Sequence, residues 1–248
     1  MQLDTPAVAG RRLTKVYGAG EAQVLALDSV DVDFAAACFT AIMGTSGSGK
    51  STLLNLLAGL DTPTAGSVKL GGRELTGLSD TELTIWRRRH VGFVFQAFNL
   101  LPMLTAAQNI RLPLDLAGER VDQDWWDTVV DTLAIRDRLS HRPSEMSGGQ
   151  RQRVALARGL ITRPDVIFAD EPTGNLDTRS GFEVLSFLRR SVRELNQSVV
   201  MVTHDPAAAA YAERVVLLAD GRLVGEILHP TKESVLAALD ELTTVVSV

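Results

Sequence analysis

Short apolar runs of strand length alternate along this chain with longer stretches of helical spacing, the arrangement of an α/β fold around a largely parallel sheet. Four runs read as buried strands: Phe39–Met43, Val91–Phe95, 166–169 and 199–203. Each packs Val, Ile, Phe or Met together with few charges, as a strand covered on both faces requires. Just past each run the chain turns polar or glycine-rich: the loop at Gly44, then Gln96, then Asp170 with Glu171, then His204. Open parallel sheets bind ligands outside the carboxyl ends of their strands, so these four groups are expected to converge on one site.

Between Gln96 and Pro164 the strand signals vanish, and DWWDTVVDTLAI (124–135) and QRQRVALARGLI (150–161) carry helical spacing. A helical lobe inserted at about 97–163 is therefore expected. Residues 11–34, where Val30, Val32 and Phe34 alternate against Asp31 and Asp33, read as an antiparallel edge strand. With GSVKLGG at 66–72 it predicts a smaller antiparallel β layer flanking the core sheet. The final KESVLAALDELTTVV reads as an amphipathic helix. The chain divides on this reading into a domain at 1–225 and a helical tail at 226–248.

A length of 248 residues with 45% hydrophobic and 22% charged content suits one domain, or one with a subsidiary lobe. A net charge of -5 offers no general pull toward nucleic acid or acidic lipid, so no nucleic-acid partner is expected. Cys38 is the only cysteine, which excludes an intrachain disulfide and suits a reducing compartment. MQLDTPAVAGRR lacks the basic-then-apolar order of a secretion signal. No apolar stretch approaches the roughly 18 residues of a membrane helix, so this segment is not expected to cross a membrane.

Gly44, four intervening residues and Gly49-Lys50-Ser51 satisfy the phosphate-loop pattern, with a strand before and a helix after. Glycines let backbone amides turn inward around phosphate oxygens; Lys50 reaches the β and γ phosphates, and the Ser51 hydroxyl ligates Mg²⁺. DVIFADEPTGNLD (165–177) sets two carboxylates at the tip of a buried strand, where successive side chains point in opposite directions. Asp170 suits a Mg²⁺-holding role, and Glu171 is placed to orient or deprotonate an attacking water. The competing reading is that one or both simply cap the next turn.

MSGGQRQRVALARGL (146–160) opens on Ser147, a good N-cap, then two glycines that expose amides at a helix start. It lacks a lysine, lies about a hundred residues from the phosphate loop and need not serve the nucleotide of its own chain. Taken alone, an ordinary capped helix explains it.

In this order the elements resemble the ATP-binding subunit of ABC transporters, over nearly the whole chain. That family's phosphate loop, glutamine loop, SGGQ signature, acidic strand and switch histidine match 44–52, Gln96, 147–150, 167–171 and His204. The resemblance implies a P-loop NTPase that hydrolyses ATP with Mg²⁺. The nucleotide would be held by Gly44, Ser46, Gly47, Ser48, Gly49, Lys50, Ser51 and Thr52, with Tyr17 stacking on adenine. Glu171, His204, Gln96 and Lys50 would be catalytic, and Ser51, Gln96 and Asp170 would hold the metal. The resemblance implies a head-to-tail dimer in which Ser147, Gly148, Gly149 and Gln150 of one copy close over the γ-phosphate at Lys50 of the other. Asp177 would sit in the loop joining the two sites.

VGFVFQAFNLLPMLTAAQNI, ADEPTGNLD and VTHDPAAAAYAERVVLLADGRLV look like the branch holding macrolide exporters, lipoprotein-release machines and bacitracin-resistance pumps. That likeness implies a permease-like membrane partner with few helices, and a place on the cytoplasmic face of the inner membrane. The partner would be energised for export, substrate extraction or mechanotransmission. The alternative is a signalling switch that controls a cell-envelope enzyme or sensor without transport.

Three departures stand out. Thr45 replaces a usual proline, Met146 a usual leucine, and AAAC at 35–38 a usual Gly-Glu turn. Of the weaker signals, RRRH at 87–90 reads as a solvated helix end, Trp125 and Trp126 as helix packing, and Cys38 as core filler.

Overall fold

The computed structural model describes residues 6–246. Residues 1–5 and 247–248, at the outer ends of the two expected divisions, lie outside it. β1 (Val8–Tyr17) and β2 (Val24–Phe34) pair antiparallel, and β3 (Phe39–Met43) leads into α1 (Lys50–Leu57). β4 (Ala65–Leu70), β5 (Arg73–Glu74), α2 (Asp80–His90) and β6 (Val91–Phe95) come after it. Three helices are next, α3 (Ala106–Ala117), α4 (Gln123–Thr132) and α5 (Gly148–Leu160), with no strand among them. β7 (Val166–Asp170), α6 (Thr178–Leu195), β8 (Ser198–Val202), α7 (Pro206–Ala209), β9 (Arg214–Ala219), β10 (Arg222–Leu228) and α8 (Lys232–Val246) complete the chain.

The core sheet runs β10-β9-β3-β8-β7-β6; every pairing from β9 to β6 is parallel, and only the β9–β10 edge is antiparallel. A second, wholly antiparallel sheet runs β2-β1-β4-β5. The mainly parallel core, the flanking antiparallel layer and the helical insertion all match the expected fold class. Residues 11–34 form two strands rather than one, because Gly18 and Gly20 adopt left-handed φ and reverse the chain. β2 is the edge and β1 is interior, paired on both sides.

Alternation along the core strands divides the apolar interior in two. Ile42, Phe168, Val200 and Val202 face α1 and the antiparallel sheet, packing with Leu53, Leu57, Phe34 and Leu13. Ala41, Met43, Ile167, Ala169 and Met201 face the helices, packing with Ile110, Val129, Leu156 and Leu188. α1 is thus enclosed between two sheets, its four leucines all buried. The inserted helices share their apolar core with the sheet rather than standing apart.

The hairpin β9–β10 is not evident as strands in the sequence. Its signal is Asp220-Gly221 between apolar runs, and both residues take positive φ (+46° and +74°), as a tight two-residue hairpin turn demands. Trp126 is buried and Trp125 donates Nε1–H to Leu160 O (3.1 Å), so both serve packing. Cys38 is half-buried, not core.

Candidate active site

β3, β8, β7 and β6 are neighbours in the sheet and run parallel, so their carboxyl ends open on one edge. The four groups expected to converge all lie just past those ends. From Met43 the chain enters a glycine loop pinned at both sides: a Cβ at Gly44 would collide with Leu218 O, and one at Gly49 with Ala26 O. Gly49, at φ +97°, is the N-cap of α1 and brings no capping side chain, and the first turn of α1 carries no acid. The first amides of α1 and the positive end of its dipole are therefore left without a side-chain acceptor, a setting for an anion.

Lys50 folds back along the loop, its Nζ donating to Gly44 O (3.0 Å) and Thr45 O (2.7 Å). Burial lowers its pKa, opposed by the charges of Glu171 and Asp170. Ser48 Oγ is buried and makes no hydrogen bond among the described residues. A polyphosphate would meet each of these needs, offering acceptors to the amides and hydroxyl and countercharge to the ammonium.

Asp170 ends β7 in register with Val202 of β8 and Phe95 of β6. Burial raises its pKa, as does the charge of Glu171, while Lys50 works against both. Glu171 turns out of the strand at φ +46°, its N–H donating to Val202 O (2.9 Å). This conformation is uncommon for a non-glycine residue and concentrates at functional sites. It carries the carboxylate to His204, where Oε1 lies 2.8 Å from Nδ1. Glu171 is largely covered and His204 largely open.

Gln96 leaves the end of β6 and docks on the loop after Glu171: its Nε2 donates to Asn175 Oδ1 (3.3 Å), and Asn175 Nδ2 returns a bond to Gln96 O (3.0 Å). Gly174 makes room for it, since a Cβ there would come within 2.7 Å of Gln96 Nε2. Asn175 does not stand out in the sequence; its signal is only its place two residues before Asp177. No group of three or more His, Cys, Asp or Glu fit to hold a metal exists among the described residues. Ser51, Asp170 and Gln96, the residues expected to hold a metal, each carry an oxygen donor of the kind Mg²⁺ takes.

Ser147 caps α5 in a reciprocal box with Gln150, whose N–H donates to Ser147 Oγ (3.3 Å) and whose Oε1 accepts from Ser147 N–H (2.9 Å). Gly148 and Gly149 pass close to Leu176 and Ser180. Asp177 caps α6, accepting from Ser180 N–H (3.0 Å). The signature and Asp177 therefore adjoin, but no hydrogen bond or ion pair among the described residues joins Ser147, Gly148, Gly149 or Gln150 to the glycine loop.

Tyr17 ends β1 with its ring partly exposed. Its hydroxyl donates to Asp61 Oδ2 (2.8 Å), Asp61 also pairs with Lys15 (2.7 Å), and Lys15 Nζ sits 4.9 Å from the ring centroid. Lys15 and Asp61, which no sequence motif marks, fix this ring.

Residues 27–174 match the family described as ABC transporter. A macrolide export ATP-binding/permease protein of Burkholderia pseudomallei is 46% identical over 231 residues, 92% of this chain and 35% of that protein. This chain thus spans about a third of the length of the curated macrolide exporters it matches. An uncharacterised ABC transporter ATP-binding protein of Methanocaldococcus jannaschii is 43% identical, covering 90% of this chain and 99% of its own. Among solved structures, the ATP-binding cassette MJ0796, captured as a dimer after hydrolysis with ADP and phosphate, is 39% identical with a TM-score of 0.79, covering 90% of this chain and 99% of its own. A second dimeric structure of that cassette gives a TM-score of 0.80.

Proposed function

This chain belongs to the ABC transporter family, and from that premise we propose that it is an ATP-binding and ATP-hydrolysing cassette which dimerises on ATP and drives a membrane partner. The observation that carries the reading is the convergence of Lys50, Asp170, Glu171 and His204 at the ends of adjacent parallel strands. The backbone of Gly44, Ser46, Gly47, Ser48 and Gly49, with Lys50, Ser51 and Thr52, cradles the triphosphate. Tyr17 takes the adenine on its open face.

Ser51, Asp170 and Gln96 hold Mg²⁺, which when bound neutralises phosphate charge in the transition state. Glu171 accepts the proton of the attacking water, and His204 keeps that carboxylate aimed and contacts the γ-phosphate. Catalysis here is positioning and electrostatics more than bond chemistry by the protein. Ser147, Gly148, Gly149 and Gln150 of a second copy complete the site head to tail, and Asp177 lies in the loop between the two nucleotides. The dimeric form of a cassette 39% identical to this one supports that arrangement.

The cassette extends through β10 (Arg222–Leu228), with its helical lobe at about 97–163, and the helical tail, expected from 226, is α8 (Lys232–Val246). No helix of the described residues is long and apolar enough to cross a membrane. The permease-like partner, with few helices, docks on the helical lobe from the cytoplasmic face of the inner membrane. Macrolide exporters that join both functions in one chain support this choice of partner.

The test is Mg²⁺-dependent phosphate release by the wild type and Glu171→Gln, then capture of that variant with ATP from detergent-solubilised membranes. Loss of turnover and recovery of a polytopic protein are expected. Undiminished release by the variant overturns the catalytic assignment, and capture of ribosomal or DNA-associated proteins alone overturns the membrane role.

A further inference from the structure

α5 does more than present Ser147. On its inner face Gln152 is fully buried, and its Nε2 donates to Pro172 O (2.7 Å) and, more weakly, to Phe95 O (3.5 Å). Pro172 directly follows Glu171 and Phe95 directly precedes Gln96, so one amide ties the backbone beside both site residues. Six positions further along the helix, Arg158 donates to Phe98 O (2.9 Å) and Asn99 O (2.5 Å). Those two residues take left-handed φ (+60° and +49°) just past Gln96. Arg151 adds a cation over the Phe98 ring at 5.1 Å.

Packing alone does not call for these side chains. The neighbouring inward positions Val154, Leu156 and Leu160 are buried and apolar. A buried amide or guanidinium costs free energy unless its hydrogen bonds recover it. Arg158, half-buried, makes no ion pair with an acid among the described residues; burial lowers its pKa, and its protein hydrogen bonds go to the two carbonyls. These bonds fix where two irregular loops sit relative to one rigid helix, whose N-terminus is the Ser147 anion site.

We propose that Gln152 and Arg158 are positioning residues through which α5 holds the loops carrying Glu171 and Gln96 in their working places. The proposal rests on the ATPase reading.

The test measures Mg·ATP turnover, KM for ATP and thermal midpoint in the full chain for Gln152→Met and Arg158→Lys, each alone and combined with Glu171→Gln. Misplacing a catalytic group by a fraction of an ångström to an ångström is expected to lower kcat about tenfold or more, with KM changed by less than about threefold. Because Gln152 acts through Glu171, Gln152→Met is expected to cost less than about twofold further in the Glu171→Gln background. Unchanged kcat in the single variants overturns the proposal, as does an equal proportional loss in both backgrounds, the mark of a merely structural lesion. Should Gln152→Met fail to fold, Arg158→Lys combined with Gln96→Ala decides by the same two criteria. If Glu171→Gln itself turns over like the wild type, it is the assignment of Glu171 that fails, and if the wild type releases no phosphate it is the ATPase reading.

Discussion

His204 Nδ1 and Glu171 Oε1 meet at 2.8 Å across the ends of two adjacent parallel strands. β8 supplies one partner and β7 the other, and Glu171 reaches the contact only by leaving its strand at φ +46°. A carboxylate held in this way is oriented for one task. Replacing Glu171 with Gln keeps the shape and removes the proposed base, so kcat is expected to fall by about a hundredfold to ten-thousandfold while ATP binding persists. Steady-state phosphate release beside equilibrium nucleotide binding checks both halves.

Asp170 carries a pH signature. Its pKa is raised, first by burial and then by Glu171. An acid with a raised folded-state pKa favours the fold while protonated; that contribution is fully present below its unfolded pKa and is lost as pH rises through the folded value. On the role proposed for Asp170, Mg²⁺ binding needs the carboxylate and runs the opposite way. The thermal shift produced by Mg·ADP is expected to shrink as pH falls through this raised pKa, above the range of an ordinary aspartate at about 3.9. Thermal scans from neutral pH downward, with Asp170→Asn as control, decide it; a shift that stays constant down to about pH 4 contradicts the assignment.

Tyr17 separates ring from hydroxyl. Stacking of a base on an aromatic is worth about 1–3 kcal/mol, so Tyr17→Ala is expected to weaken ATP binding by about tenfold or more. Tyr17→Phe loses the Asp61 bond but keeps the ring, and should bind within about threefold of the wild type, a difference under 1 kcal/mol. Titration calorimetry distinguishes them, and equal affinity in all three proteins removes Tyr17 from the site.

Gly49 tests the loop geometry. At φ +97°, with Ala26 O beside the place a Cβ would fill, Gly49→Ala combines backbone strain with a collision. A loss of at least about 2 kcal/mol is expected, with a fall of about 4–8 °C in thermal midpoint and loss of nucleotide binding. Calorimetry with and without nucleotide reads both effects.

The Ala35–Cys38 turn offers the reverse case. Ala37 sits at φ +50° and its N–H donates to Ser198 Oγ (3.1 Å), so the turn keeps a glycine-like conformation without glycine. Ala37→Gly relieves the left-handed strain at some cost in chain entropy, and a gain of about 0.5 kcal/mol, roughly 1–2 °C in thermal midpoint, is expected. A lowered midpoint would show that the strain is already absorbed.

Local rules were enough for much of this protein. Buried strands announce themselves as apolar runs because both faces are covered, and the glycine loop, the Asp170–Glu171 strand end and the Ser147 cap were legible because a tight amide-exposing turn, a polar strand end and a helix start each take particular residue types at fixed offsets. Residues 11–34 read as one strand because the alternation on β2 hides the turn, but form two, since Gly18 and Gly20 reverse the chain. The β9–β10 hairpin goes unread although 215–219 is an apolar run of strand length, because such a run cannot be told from a buried helix segment by periodicity and only Asp220-Gly221 marks the turn. Tertiary structure alone decided the relations between distant segments: that strand order sets His204 against Glu171, that Asp61 pins Tyr17, and that Gln152 and Arg158 reach carbonyls more than fifty residues upstream at Phe95, Phe98 and Asn99. A side chain that bonds to a remote backbone carbonyl leaves no periodicity and no spacing rule in the chain, because any residue can supply that carbonyl. Chemistry fixed by residue type was therefore written in the sequence, and chemistry fixed by backbone position appeared only once the sheet had brought the strand ends together.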